Sequence, residues 1–384
     1  MLSGVVLTHF RKDLLAWFSR FQRDLPWRRT RDPYRIWLSE IMLQQTRVAA
    51  VIPYYERFLE RFPTVEALAA APEEEVLRLW SGLGYYSRAR NLQKAAQEIV
   101  AKHTGVFPSE YEQALALPGI GAYTAAAVLS IAYEKKQAVL DGNVARVLAR
   151  LGTLRGDLRA NGTWGELQKT ADRLLDEKSP GDWNQAMMEL GATLCTPRAP
   201  QCLLCPVGEF CEARKKGLAD IIPEKRAKRD IVEVTLAALV LLDRKGNTLL
   251  LPPPKKAAKS QEADDVATLV SRMWHFPTIA LHRDHAAAEL KKYWGKSLFC
   301  KQKLSVAMEP LAKVRHAVTY RAVTVLPFQA NVETLPKVDG AKAIPLAELS
   351  SVHISNLTRK VAHAAVKEKQ KAKRKGTTSQ SVLA

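Results

Sequence analysis

Apolar residues recur at three- and four-residue intervals through most of the first 220 positions, the period of helices that each bury one face. Residues 5 to 21 show it plainly: Phe10, Leu14, Leu15, Trp17, Phe18 and Phe21 form a stripe, and Pro26 closes the segment. A second helix is predicted from Asp32 to Val48, and residues 50 to 80 read as further helices with Pro53, Pro63 and Pro72 marking their starts. Gly82-Leu83-Gly84-Tyr85-Tyr86-Ser87-Arg88-Ala89-Arg90 breaks the pattern, which resumes to about Lys102. A short helix from Tyr111 to Leu117 leads into Pro118-Gly119-Ile120-Gly121, and a small-residue helix through Ala125, Ala126, Val128, Leu129 and Ile131 ends near Ala132. Another opens after Asp141-Gly142-Asn143, with Val144, Val147, Leu148 and Leu151 on one face, and residues 166–175 and 184–194 continue the pattern. No strand period occurs in this part, which is predicted to be all-α.

The period then changes. Ile222-Pro223-Glu224-Lys225-Arg226-Ala227-Lys228-Arg229 is polar and basic and predicts a linker over 217–230. Beyond it Ile231-Val232-Glu233-Val234-Thr235-Leu236 alternates, Gly246-Asn247 marks a hairpin, and Leu249-Leu250-Leu251 and Ala317 to Phe328 read as further strands. The expected chain is therefore multi-domain: an all-α domain over 1–216, the linker, a smaller α+β domain over 231–357, and a disordered tail over 358–384. Within that tail region Arg359 to Lys375 carries eight Lys or Arg against one Glu.

Length agrees, since 384 residues exceed one ordinary core. Lys and Arg number 58 against 39 Asp and Glu, a net charge of +19 that suits a polyanion, with nucleic acid as the leading partner. No run of about eighteen apolar residues marks a membrane span. The N-terminus lacks the apolar core and cleavage pattern of a secretory signal, so a cytoplasmic protein is expected.

Candidate chemistry gathers in a few places. Gly119 and Gly121 lack a Cβ, so their backbone N–H groups can face an anion while the following helix adds its positive end, a phosphate grip; the plainer alternative is an ordinary turn. Asp141 stands at the mouth of the next helix, where capping alone would also account for it. Glu40 has Ile36 four residues before it and Leu43 three after, so a carboxyl shares a helix face with apolar side chains. Desolvation there favours the neutral acid that a proton donor near neutral pH requires, unless the group is a surface Glu paired with Arg35 or Arg47. The Gly82 to Arg90 loop, with its tyrosines and arginines, suits an approach to nucleic acid with a ring available for stacking. Cys195-x6-Cys202-x2-Cys205-x5-Cys211 is the strongest spacing: four thiolates this close hold an iron–sulfur cube or a tetrahedral zinc, while Cys300 stands apart.

The glycine hairpin followed by Asp141 resembles the helix-hairpin-helix signature of DNA base-excision glycosylases. The cysteine spacing resembles the [4Fe–4S] loop of endonuclease III and adenine glycosylases, and Met273-Trp274-His275-Phe276-Pro277 resembles the Trp-x-Phe-Pro element in the MutT-like (Nudix-like) C-terminal domain of MutY-type adenine DNA glycosylases. This resemblance runs to about residue 357 and implies a helix-hairpin-helix core, one [4Fe–4S] cluster on Cys195, Cys202, Cys205 and Cys211, and a MutT-like domain that reads the opposing base. The lack of a Gly-x5-Glu-x7-Arg-Glu-x2-Glu-Glu run argues against pyrophosphate hydrolysis by that domain. The implied substrate is double-stranded DNA with adenine mispaired with 8-oxoguanine or guanine, acted on in base excision repair by a monomer at the bacterial nucleoid.

By the same resemblance Glu40 protonates the leaving adenine and an ionised Asp141 stabilises oxocarbenium character at the sugar, with Tyr123 and Asn143 supporting them. Trp27, Arg28, Leu43, Val48, Gln185 and Met188 form the pocket for an extruded adenine, and Gln45, Thr46, Leu83 and Tyr85 fill the gap and contact the opposing base. Bifunctional relatives carry a lysine where this chain has Tyr123; a phenol forms no imine, so hydrolysis without an efficient lyase step is expected. Family members often carry Phe-Ser-His where this chain has Val318-Thr319-Tyr320. Thr319 keeps a hydroxyl for the oxidised base but the aromatic and the imidazole are lost, which predicts weaker discrimination of 8-oxoguanine from guanine. The rival readings are another mismatch glycosylase, specific for thymine or uracil, and an iron–sulfur protein that binds damaged DNA without catalysis.

Overall fold

A computed structural model describes residues 3–224, 230–252, 273–281, 286–297, 307–318, 320–352 and 354–367. It divides into two compact units, Met1–Ala227 and Lys228–Ala384. The first contains α1 (Gly4–Phe21), α2 (Pro33–Leu43), α3 (Val48–Arg61), α4 (Val65–Ala70), α5 (Glu73–Leu79), α6 (Ser87–Lys102), α7 (Tyr111–Leu115), α8 (Ala122–Tyr133), α9 (Gly142–Gly152), α10 (Asn161–Leu174), α11 (Pro180–Thr193) and the short α12 (Glu212–Lys215). No strand occurs among its described residues.

The helix α2 is the hub of this unit. Pro33 sits in its first turn and the Asp32 carboxylate accepts the N–H groups of Tyr34 and Arg35, so the helix starts sharply. From Ile36 to Met42 every residue is buried, against α3 on one side and α8 on the other. α8, which packs on it, buries a run of small residues, Ala125, Ala126 and Ala127. Two expectations are corrected here. The helix ends at Leu43 rather than at Val48, because Gln45 turns into the left-handed region at φ 57°. Pro53 lies inside α3, which starts earlier at Val48 and forgoes one internal hydrogen bond.

The predicted linker over 217–230 also starts too early. Ile222 is 1% exposed and packs with Ala149 of α9 and Ala213 of α12, so the chain stays on the helical unit to that point. Its apolar partner Leu218, four residues before it, is the signal the surrounding basic residues obscured.

The second unit contains β1 (Val232–Leu242), β2 (Asn247–Leu250), β3 (Thr278–Ala280), α13 (Ala286–Ser297), β4 (Glu309–Pro310), β5 (Val314–Val318), β6 (Arg321–Asn331), β7 (Lys342–Pro345) and a final helix, α14, over 356–367. The sheet order is β4-β6-β1-β2-β7, with β3 also on β1 and β5 also on β6. Among the described strands only β1 and β6 pair in parallel, from Val232 opposite Arg321 to Leu242 opposite Asn331. β1 is covered on both faces: Leu236, Ala238 and Val240 pack with Leu357, Val361 and Ala365 of α14, and Ala237, Leu239 and Leu241 pack with Ala286 and Leu290 of α13. This burial explains why the alternation that opens β1 gives way to a continuous apolar run. The unit is therefore a sheet between helices.

The expected disordered tail over 358–384 is corrected at its start. Residues 356–367 are helical, with the Ser355 hydroxyl accepting the Thr358 N–H as a cap. Leu357, Val361 and Ala365, spaced by four, form a buried stripe that the high Lys and Arg content masks. The rest of that segment lies outside the described residues. No helix among the described residues is long and apolar enough to cross a membrane.

Candidate active site

α2, α8, α9 and α11 converge on a cavity of about 540 Å³, large enough for one small organic group. Glu40 enters it from α2, Tyr123 from the first turn of α8, Asp141 and Asn143 from the start of α9, and Gln185 and Met188 from α11. Trp27 and Arg28 reach it from a single 3-10 turn at Pro26–Arg28, and Leu43, Gln45, Thr46 and Val48 from the connection between α2 and α3. The structure thus brings together the expected acids and the expected adenine pocket. Trp27 is both a packed and a lining residue, 7% exposed and edge-on to Tyr55 at 5.4 Å.

Glu40 is buried, and the Tyr123 hydroxyl donates to its Oε2 at 2.7 Å with Met188 Sδ 3.2 Å away. Burial pushes the Glu40 carboxyl up to about 7; the Tyr123 hydrogen bond and the Arg28 charge oppose this, and the Asp141 charge adds to it. Tyr123 is itself raised well above its ordinary value by burial and the two nearby carboxyls, so it remains a neutral donor. No lysine lines the cavity among the described residues.

Asp141 caps α9: its Oδ1 accepts the N–H groups of Asn143 at 2.9 Å and Val144 at 2.7 Å, and its Oδ2 accepts the Asn143 amide at 3.0 Å. Burial raises its pKa, while these three donors and the Arg146 charge favour the anion. Asp141 is thus the helix cap and lines the cavity at once. The chain of contacts continues, since Arg146 donates to Asn143 Oδ1 at 3.0 Å, to the Gly191 carbonyl at 2.6 Å and to the Cys195 carbonyl at 2.8 Å. Asp141 is held by bonds that reach α11 and the cysteine segment.

Glu189 was not expected at the site. It is 1% exposed, lines the cavity, and takes bonds from Arg23 Nε and Nη2 at 2.7 Å and from Arg28 Nη2 at 2.8 Å. Burial alone would raise its carboxyl, but the Arg23 and Arg28 hydrogen bonds outweigh it and hold the group near 2. Its signal in the sequence is the one Glu40 gives, an acid with apolar neighbours on a helix face, here Ala186 three residues before it and Ala192 three after.

Other expected residues lie outside the cavity lining. Leu83, expected with Tyr85 at the opposing base, is 7% exposed, and Tyr85 is 49% exposed. Gly119 is required by its backbone, with φ 78° and Asn91 Cβ only 2.6 Å from where a Cβ would sit. Gly121 is the N-cap of α8, with open space around it and no side-chain cap on the helix's first N–H groups. Thr319 lies outside the described residues, as does Cys300.

Cys195, Cys202, Cys205 and Cys211 are free thiols that line one small cavity of about 30 Å³, and the Arg150 Nη1 donates to Cys195 Sγ at 3.2 Å. Among the described residues no three His, Cys, Asp or Glu side chains are grouped to hold a single metal ion.

Residues 38–171 match the family of HhH-GPD superfamily base excision DNA repair proteins. The chain is 48% identical over 220 residues to an adenine DNA glycosylase of Homo sapiens, covering 55% of this chain and 40% of that protein. It is 47% identical over 220 residues to the one of Rattus norvegicus, covering 42% of it, so the match spans less than half of these relatives' length. An adenine DNA glycosylase of Buchnera aphidicola is 38% identical over 244 residues, 63% of this chain and 68% of that protein. Among solved structures, a thermostable thymine-DNA glycosylase aligns with TM-score 0.51 and 31% identity over 55% of this chain and 97% of its own.

Proposed function

This chain belongs to the adenine DNA glycosylase family, and from that premise we propose that it hydrolyses the N-glycosidic bond of adenine mispaired with 8-oxoguanine or guanine in duplex DNA, in base excision repair and without an efficient lyase step. One observation carries this reading: a buried carboxyl poised near 7, held by a phenol at 2.7 Å, faces a nucleobase-sized cavity together with a second, hydrogen-bonded carboxylate.

In the proposed step Glu40 carries the proton at neutral pH and gives it to a ring nitrogen of the extruded adenine. The bond to the sugar C1′ breaks with its electron pair going to the base. Asp141, whose anionic form its three donors and Arg146 favour against burial, stabilises the cationic sugar, and water adds to C1′, losing its proton to a carboxylate of the site. Tyr123 orients Glu40 and, being no amine, cannot capture the sugar. Trp27, Arg28, Leu43, Val48, Gln185 and Met188 would enclose the base, with Gln45, Thr46 and Tyr85 at the opposing base. Gly119 and Gly121 would grip a DNA phosphate, and Thr319 would meet the oxidised base.

The cysteines fit a [4Fe–4S] cluster by the chemistry of the donor set, four thiols lining one space with no His, Asp or Glu beside them among the described residues. Cys195, Cys202, Cys205 and Cys211 would hold it. Its contribution here is to tie the loop of Arg198, Arg214, Lys215 and Lys216 to the fold, with no part in bond cleavage. We place the protein, as a monomer, on the DNA of the cytoplasmic nucleoid, a reading supported by its net charge of +19.

The likeness to the thymine-DNA glycosylase favours a second reading, removal of thymine from T:G pairs. Incubation with duplexes containing A:8-oxoG, A:G, T:G or U:G, followed by mild alkali, separates them. Adenine release without spontaneous nicking is expected; release of thymine or uracil instead, or nicking before alkali, would replace the proposal.

A further inference from the structure

One buried cation ties a loop that lines the cavity to a second loop beside it. Arg88, 9% exposed in the first turn of α6, donates through Nη1 to the carbonyls of Ile41 at 2.8 Å, Met42 at 3.1 Å and Gln44 at 2.5 Å. Its Nη2 reaches Thr46 Oγ1 and the Leu83 carbonyl, both at 3.3 Å, and the Gly84 carbonyl at 3.2 Å. The guanidinium also lies 5.4 Å from the ring centres of Trp80, which is fully buried, and of Tyr85. None of these partners is a carboxylate, so the charge is desolvated without an ion pair.

What the cation holds in place is strained backbone. Gln45 and Tyr85 both adopt left-handed φ values, 57° and 48°, without being glycine, a conformation that persists only where the surroundings impose it and that concentrates at functional sites. Gln45 and Thr46 line the cavity, and Tyr85 presents a half-exposed ring on the companion loop. A planar fork with five donors can serve both loops at once, whereas an ammonium offers three donors from one point.

We propose that Arg88 is a positioning residue that locks the Gln44 to Thr46 and Leu83 to Tyr85 loops into one rigid wedge, so that Tyr85 enters the base stack as the adenine leaves it. Arg88 then governs extrusion of the base and not cleavage of its bond. The inference rests on the proposed adenine release. Burial lowers the Arg88 pKa to about 10, which still leaves it charged at neutral pH.

The test uses the full chain carrying Glu40→Gln, which blocks cleavage, bound to a duplex with 2-aminopurine in place of the target adenine; its fluorescence rises when it leaves the stack. Adding Arg88→Lys should lower that signal about tenfold at saturating protein, as expected when a wedge no longer offsets the cost of unstacking. With Glu40 intact, Arg88→Lys should slow single-turnover release by the same factor while the fall in rate near pH 7 stays in place. An unchanged extrusion signal, or a shifted pH dependence, overturns the proposal. Should Arg88→Lys fail to fold by thermal melting, Tyr85→Ala removes only the exposed ring and must lose the same signal; if it keeps it, the proposal is wrong. A wild-type chain that releases no adenine would sink the proposed activity, whereas an active wild type with unaffected Arg88→Lys extrusion sinks this inference alone.

Discussion

Glu40 illustrates a residue whose environment works against folding and, on the proposed function, toward chemistry. Its carboxyl sits near 7 because burial penalises the anion, so base release should fall as pH rises through that value, and Glu40→Gln should slow release by about 100- to 10,000-fold while duplex binding is kept. Tyr123→Phe gives the sharper test. The hydroxyl stabilises the carboxylate, so its loss should raise the Glu40 pKa and carry the active range to higher pH; single-turnover release across pH checks this, and a move to lower pH would refute the assigned role. Stability follows the opposite course. A carboxyl raised above its unfolded value of 4.5 weakens the fold progressively between that pH and 7, and the loss persists above. Melting curves should therefore show Glu40→Gln gaining about 3 kcal/mol on the wild type between acid and neutral pH, at 1.36 kcal/mol per unit. This site was legible because the signal is local: Ile36 and Leu43 flank the acid on one helix face. Glu189 gives the same local signal, but its meaning depends on Arg23 and Arg28, more than 160 residues away in sequence.

At the scale of elements, that arginine pair fastens the segment between α1 and α2 onto α11. Replacing Glu189 by Leu strands two cations, one of them 10% exposed. Removing one partner of a buried ion pair is strongly destabilising, and with Arg23 39% exposed the discounted cost is about 2 kcal/mol. Its pH course is set by a folded-state pKa near 2: the contribution is complete above the ordinary carboxylate range and fades as pH falls from about 4.5 toward 2, so acid melts of wild type and Glu189→Leu should converge there. Helix positions were readable from apolar spacing, but ends were less so. Nothing in Gln44-Gln45-Thr46-Arg47 breaks a helical pattern as Gly or Pro would; α2 stops there because Arg88 takes its terminal carbonyls, a contact between segments that the local pattern does not encode.

For the whole molecule, the change of period after residue 230 announced a second unit, and its outline follows from β1 being covered on both faces. The charge pattern misled at its far end, where Lys and Arg on α14 conceal the stripe that packs on the sheet. The same unit holds the departure to which the proposed function gives weight. Val318 ends β5 and Tyr320 begins the turn into β6, where its carbonyl accepts the Val232 N–H at 2.9 Å. If this turn reads the opposing base, an aliphatic and a phenol offer it less than an aromatic wedge and an imidazole. Single-turnover release from A:8-oxoG should then exceed that from A:G by a modest factor. Val318→Phe with Tyr320→His should widen the ratio about tenfold, or 1.4 kcal/mol, through the A:8-oxoG rate alone. The A:G rate serves as the internal control, since a general gain or loss of folding would move both rates together. A wild-type ratio that the double substitution leaves unaltered would mean that this turn does not read the oxidised base.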